Sequence, residues 1–482
     1  MFNLRDMNSF GEIAAEDDSV LEYFLSTDAV DEISSGRVLL VLGRKGSGKT
    51  ALVKHFTETQ PKTHGLPLSL RNYPWNAHAT LIDKGASDAE AYVASWRLLI
   101  AIRLASMVVR LGETKYTDTL AGLTKFLMSN FGTIEPETRS ILSRERLTVV
   151  GLTLGPQIAG VSLGSISFGD PSRDKVLGLE LDSLANSLLT DVSTAIAELE
   201  IEKLFLHFDE LDQGLDRLDE TKKRMLVGLI LAAREITKSA KGRANLSPIV
   251  YLRSDIWEQV NFSDKNKITR TSTVRLVWDE GSLRSLIETR LRSKLGAEVT
   301  WEKVEDGGKM RGSQAKIHHL LARTLLRPRD VIQFLNEALA VAKLRSDSIL
   351  HFSNEDINGC REKYSEYLKE ELNDEIVPHW PEWNEALQAC SKTQTVTFKK
   401  EDFVKSYSAL KSGSNPYTAE EALEQLYRFS IVGYLQPSAG GGSTWSFRYA
   451  DNNAGWDATA TRLKVHIGLK EHAKLKEERV AS

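Results

Sequence analysis

The octapeptide Gly43-Arg44-Lys45-Gly46-Ser47-Gly48-Lys49-Thr50 gathers in one short stretch the groups needed to hold a polyphosphate. Its glycines let the backbone curl so that N–H groups converge on an anion with no side chain in the way. The Lys49 ammonium would reach the β- and γ-phosphates of a nucleoside triphosphate, and the Thr50 hydroxyl would ligate Mg²⁺. The predicted nucleotide-binding set is Gly43, Arg44, Lys45, Gly46, Ser47, Gly48, Lys49, Thr50 and Ala51, and the ligand that fits it is ATP with Mg²⁺.

A second stretch, Phe205-Leu206-His207-Phe208-Asp209-Glu210, supplies carboxylates at the end of an apolar run. Asp209 would hold Mg²⁺ and its waters together with Thr50, while Glu210 would orient and polarise an attacking water. The adjacent Asp-Glu pair argues for hydrolysis, because simple nucleotide switches often lack the second acid. The competing reading makes Asp209, Glu210 and Asp212 a solvated turn. His207 reads as a strand residue packed against a helix rather than as a base.

Two arginines complete the predicted catalytic set of Lys49, Glu210, Arg253 and Arg329. Arg253 closes the run Ile249-Val250-Tyr251-Leu252, where an arginine can approach a γ-phosphate; the alternative is an ion pair with Asp255. In Leu326-Arg327-Pro328-Arg329-Asp330, Pro328 can start a helix that presents Arg329 to the nucleotide, or Arg329 can serve the helix end alone. Arg270 and Arg292 are candidate fingers acting on a neighbouring copy, against the bland reading of solvated side chains.

These groups need elements to position them. Arg37 to Leu42 reads as a strand and Thr50 to Phe56 as a helix, so the glycine-rich loop lies between strand and helix, where phosphate binding requires it. Pro67 to Leu70, Lys203 to Phe208, Pro248 to Leu252 and Thr273 to Trp278 are further strand candidates. Helices are expected near Tyr116 to Asn130, from Val176 to Leu199, and from a Ser87/Glu90 capping box to Gly112. Strands alternating with helices predict an α/β sheet with its ligand beyond the strands' C-terminal ends. After Leu283 to Leu291 the pattern turns helical, notably Lys316 to Leu325 and Arg329 to Leu344, with Glu305 to Gly312 as a polar insertion. Beyond Pro378-His379-Trp380-Pro381, a helix capped by Thr418 and Glu421 precedes Ile431 to Gln436 and Thr444 to Tyr449, paired around a glycine-rich turn. Helix plus hairpin suggests a winged helix. The expected division is 1–295 for the nucleotide-binding core, 296–377 for a helical lid and 378–482 for a winged-helix-like domain.

The chain has 482 residues, 41% hydrophobic and 27% charged, with a formal net charge of -4. That length predicts several cores, and the charge gives no global attraction to nucleic acid or anionic lipid. Cys360 and Cys390 stand far apart, without neighbours at zinc spacing, which fits a reducing compartment. Met1 to Asp6 lacks a basic stretch leading into an apolar core, so no secretory signal is expected and the location is read as cytoplasmic. Leu147 to Gly169 carries no charge and approaches spanning length. Its glycines, Pro156 and near-alternation read as a β-hairpin, and membrane contact is the minority reading.

Taken in order, these elements resemble the additional-strand P-loop ATPases of the AAA+/STAND group over about residues 8–345. Within it the chain is most like stand-alone prokaryotic P-loop ATPases that open with a Gly-Arg-Lys-Gly-Ser-Gly-Lys-Thr loop. The resemblance implies a three-layer αβα core with a mostly parallel sheet in the order 5-1-4-3-2, a helical lid and ATP hydrolysis. Arg253 looks like the arginine closing the strand-4 motif of STAND proteins, and Arg329 like the sensor arginine of initiator-type AAA+ lids. Family members often serve prokaryotic signalling or phage defence. The chain departs from the pattern in two places: Thr50 and Asp209 are separated by a long insertion of helices and hairpin, and strand 4 ends in Tyr-Leu-Arg rather than Thr-Thr-Arg. KAP-type relatives can carry membrane segments in such an insert.

Two functions follow as expectations. One is a signalling or remodelling ATPase that acts on a protein partner or a second copy of itself through the lid and C-terminal domain. The other is a nucleotide-gated regulator whose winged helix engages DNA, for which residues 391–482, with near-balanced charge, offer a weak electrostatic footprint. Neither a guanine-reading Asn-Lys-x-Asp nor an ABC-type Leu-Ser-Gly-Gly-Gln stretch is present.

Overall fold

The computed structural model describes residues 2–477 apart from 59–61, 72, 76–77, 79–88, 145, 154, 159–160, 168–173, 212–217, 240–245, 438–440 and 452–453. Ser87 of the expected capping box and Asp212 of the alternative turn lie outside the described residues. The chain divides into two compact units. The first comprises Ser26–Arg44 and Lys49–Leu276; the second comprises Met1–Leu25, Lys45–Gly48 and Val277–Ser482.

The first unit is built on five strands: β1 (Leu40–Gly43), β2 (Thr63–Ser69), β3 (Lys203–Asp209), β4 (Leu246–Arg253) and β5 (Thr273–Arg275). They lie in the order β2-β3-β4-β1-β5, every pairing parallel. This is the expected 5-1-4-3-2 sheet. The middle strands are buried along almost their whole length, which is why they read as continuous apolar runs rather than as alternating ones.

Successive strand residues point to opposite faces, and two neighbours on β3 show a layer on each. His207 stacks on Phe56 of helix α1 (Lys49–Glu58), while Phe208 meets Trp96 of helix α2 (Ala89–Leu111) edge to face. Helix α2 packs along α3 (Asp174–Glu198) and α4 (Glu220–Ser239). The Trp96 indole donates to the Met225 carbonyl at 2.9 Å. Helix α2 is long and apolar enough to cross a membrane, but 89% of its apolar window is buried inside the protein. In the stretch read as a hairpin, Arg146–Thr148 pairs antiparallel with Ser165–Ser167, and Gln157–Ile158 with Val161–Ser162. The described part is strand and turn.

In the second unit the N-terminal segment supplies Leu4, Met7 and Phe10 to a core shared with helices α5 (Glu280–Leu295), α6 (Pro328–Arg345) and α7 (Arg361–Ile376). Arg290 of α5 ties the segment down: it donates to the Phe10 carbonyl at 2.5 Å, pairs with Asp18 at 3.3 Å and lies over the Tyr23 ring. The expected polar insertion folds over a fully buried Lys316, whose ammonium donates to the Gly308 carbonyl at 2.6 Å and to the Asp306 carboxylate. The C-terminal part carries helices α8 (Trp383–Lys392), α9 (Lys400–Leu410) and α10 (Ala419–Arg428). They accompany a four-stranded antiparallel sheet of β6 (Thr397–Lys399), β7 (Val432–Pro437), β8 (Ser443–Ser446) and β9 (Arg462–Val465), in the order β6-β9-β7-β8. The Thr418/Glu421 capping box opens α10 as its residue types require.

Candidate functional site

Parallel pairing brings the chemistry-bearing ends of the strands together. The register sets Gly43 beside Arg253 and Ser69 beside Asp209, all at the C-terminal edge of the sheet. Directly after β1 the chain enters the glycine-rich loop, and α1 begins at Lys49. Gly46 and Gly48 adopt φ of 76° and 96°, where a side chain is strained. Gly46 has a second reason to be glycine: an added Cβ would lie 2.9 Å from the Arg329 Cβ.

Within the first unit, Thr50 and Asp209 meet. The Thr50 hydroxyl donates to Asp209 Oδ2 at 2.9 Å, and Asp209 is only 5% exposed. The Lys49 ammonium donates to the carbonyls of Gly43 at 3.2 Å and Arg44 at 3.1 Å, so its charge faces the inside of the loop. Ala51 follows in α1, half-buried. Glu210 sits just past β3 with φ of 59° and accepts a hydrogen bond from the Ser69 hydroxyl. Behind this edge His207 is fully buried, with Nδ1 3.0 Å from the Tyr251 hydroxyl. Burial pushes its pKa down to about 3, so it is neutral and structural. Burial raises the Tyr251 phenol well above its ordinary range, and the nearby charge of Asp209 adds to the shift.

Arg253 donates to Asp255 through both Nε, at 3.0 Å, and Nη2, at 2.7 Å, a two-point ion pair. The geometry here is that of the alternative reading. Arg270 and Arg292 are exposed, and Arg292 pairs with Glu288 one turn back at 2.8 Å.

Lys45–Gly48 group with the second unit. The Arg329 backbone N–H points at the Gly46 carbonyl at 3.4 Å, its Nε donates to the Ile13 carbonyl at 3.1 Å, and its Nη1 lies 3.2 Å from Glu371. Trp278 donates its indole N–H to the Ser47 carbonyl at 2.9 Å. Lys45 pairs with Asp374 at 2.9 Å and with Glu371 at 3.5 Å. Arg327, not Arg329, is the buried structural arginine of this turn, held by Asp330 at 2.9 Å and by Glu375. Sequence reasoning missed Ser69, Trp278, Glu371 and Asp374. Ser69 and Trp278 each had a local signal, since they fall inside the expected strands Pro67 to Leu70 and Thr273 to Trp278.

A hydroxyl and a carboxylate oxygen in contact form a hard oxygen donor pair, the kind Mg²⁺ uses while keeping most of its waters. Among the described residues no group of three or more His, Cys, Asp and Glu is placed to cage a metal. Ser47 adds an independent sign: its hydroxyl is buried without a hydrogen-bond partner inside the loop. The residues fit Mg²⁺ with a bound polyphosphate.

The all-parallel 5-1-4-3-2 sheet, the glycine-rich loop between β1 and α1 and the acid at the end of β3 make an α/β core with the P-loop NTPase fold, followed by a helical C-terminal region. The family model of the FunZ-associated C-terminal helical domain matches residues 281–373. No curated protein matches the chain. Among solved structures, the Aeropyrum pernix ORC2 protein in its ADP form is 14% identical, with 94% of this chain and 90% of that chain covered and a TM-score of 0.34. The ADPNP-ADP complexes of the same protein are also 14% identical, with 89% of each chain covered and a TM-score of 0.38. The assignment of the core rests on strand order and register.

Proposed function

We propose that the chain binds Mg-ATP and hydrolyses it as a AAA+/STAND-like switch. One observation carries this: Thr50, the first hydroxyl after the loop lysine, touches Asp209 at the end of β3, a strand that β4 separates from β1. Two residues far apart in sequence thus form the oxygen pair that a magnesium-bound triphosphate needs. The loop N–H groups and Lys49 hold the β- and γ-phosphates, and Thr50 and Asp209 hold the magnesium and its waters. The ion supplies charge neutralisation between phosphates. Glu210 orients the attacking water once its carboxylate leaves Ser69. Arg329 is assigned to reporting the nucleotide, supported by its seat on Gly46. For Arg253 the ion pair with Asp255 favours a supporting role over direct contact.

The division into core (1–295), lid (296–377) and winged-helix-like domain (378–482) belongs to this reading, as does a protein partner or second copy engaged through the latter two. So does a reducing, cytoplasmic setting, supported by the free, buried Cys360 and Cys390. A signalling role, including one in prokaryotic defence, is the setting we favour by resemblance.

The test is nucleotide binding and phosphate release. Lys49→Ala is expected to abolish ATP binding. Glu210→Gln should bind ATP with near wild-type affinity while turnover drops by about a hundredfold or more, the usual worth of a positioned base. Wild-type phosphate release from both variants would refute the assignment.

A further inference from the structure

Helix α7 turns a row of acids toward the glycine-rich loop, and they differ in what they hold. Glu375, with Asp330, closes over Arg327; all three are buried, so this end of α7 is fixed on the start of α6. Glu371, one turn earlier, does something else. The same carboxylate oxygen, Oε2, lies 3.5 Å from the Lys45 ammonium and 3.2 Å from Arg329 Nη1. Asp374 adds a second contact to Lys45 at 2.9 Å. The side chains of Lys45, Arg329 and Glu371 are 21%, 22% and 13% exposed, so these charges are partly withdrawn from water and interact more strongly than a surface pair.

Lys45 belongs to the phosphate-binding loop by sequence, and Arg329 has its backbone on Gly46 of that loop. Lys45 and Arg329 are therefore both neutralised by carboxylates of one helix. A polyphosphate offers the same charge and the same acceptor oxygens, and one ammonium cannot face both fully.

We propose that Glu371, assisted by Asp374, is a phosphate-competing carboxylate that holds Lys45 and Arg329, so that a nucleoside triphosphate binds by taking these cations from it. The inference rests on the nucleotide-binding reading above and adds to it the regulation of that site. An acid in this position sets the affinity below what the loop alone would give. It also couples occupancy of the loop to α7, whose first turns hold the end of the chain: the Ser365 hydroxyl accepts the His472 N–H at 2.9 Å, and Arg361 lies 3.3 Å from Glu471.

The experiment is a titration of the full chain with a fluorescent ATP analogue and Mg²⁺ at about 50 and about 300 mM salt, comparing wild type with Glu371→Gln, Asp374→Asn and Lys49→Ala. Competition predicts tighter binding by Glu371→Gln, about three- to tenfold at low salt, and a smaller gain for Asp374→Asn. The gain should shrink at high salt because it is electrostatic. Asp374 is 66% exposed at its side chain, so its variant folds even if Glu371→Gln does not. Binding by wild type that is lost in Lys49→Ala, but unchanged or weaker in both acid variants, overturns this inference and leaves the nucleotide reading standing. No binding by wild type overturns both.

Discussion

The imidazole of His207 lies inside β3 among Phe56, Phe205 and Tyr251, and burial there has a consequence for the whole protein's response to acid. Its pKa is held down to about 3 from an ordinary 6.5. Between those values the unfolded chain takes up a proton that the folded one refuses, so stability is complete about a pH unit above 6.5 and falls as the pH drops through 6.5 toward 3. The slope is about 1.4 kcal/mol per pH unit for one such group. His207→Phe removes the titrating ring, so its stability should fall less than wild type's between pH 6.5 and 5.5, by about 1 kcal/mol because the unfolded ring is already half protonated at the upper value. Urea melts at the two pH values measure the difference, and equal slopes would mean that the ring is protonated in place. ATP turnover near neutral pH should show no inflection from this residue, because it stays neutral throughout that range.

At the scale of elements, the first unit depends on how closely α2 lies against α4. Gly228 of α4 is where they meet: a Cβ there would stand 2.8 Å from the Tyr92 Cβ and 3.3 Å from the Trp96 ring. Gly228→Val must push the helices apart or force side chains off their rotamers, a cost of about 1–3 kcal/mol. Calorimetry should record a lower melting temperature, by about 2–4 °C for each kcal/mol; an unchanged melt would show that the interface is loose. This contact is invisible in the sequence, where Gly228 is one small residue in a helical pattern. Strands β1, β3 and β4 were legible because burial on both faces leaves apolar runs. The first four residues of β2, Thr63–Leu66, were not, since they are only half-buried and carry no such pattern. Strands β6 and β9, three and four residues long, lack the glycine-rich turn that marked the equally short β8 as the partner of β7. The loop, Thr50 and Asp209-Glu210 could be named from sequence because their chemistry is local to each motif. Glu371 and Asp374 could not, since a charged amphipathic helix looks the same whether its acids meet water or Lys45.

For the whole molecule, the open choice between a protein partner and DNA turns on where charge is placed. The net charge of -4 gives no long-range pull toward a phosphate backbone, so a DNA-reading domain would need a local basic face. In the C-terminal part of the second unit, α10 is the helix after which the β7–β8 hairpin follows. Its outward residues include the exposed Glu421 and Glu424, and Glu420 is occupied by Lys400 at 2.7 Å. Carboxylates on that face would repel a duplex at the distance where hydrogen bonds to bases form. Lys464 is likewise engaged, lying over the Trp445 ring. The expectation is that the full chain, with or without Mg-ATP, fails to retard a mixed-sequence duplex at about 150 mM salt and binds it only weakly at about 50 mM. A protein with several genuine phosphate contacts would instead bind well at low salt and lose about a thousandfold in affinity or more by 200 mM. Retardation with that steep slope, strengthened by ATP, would transfer the chain to the DNA-regulator reading; its absence leaves the acidic face of α10 available to a protein surface of opposite charge.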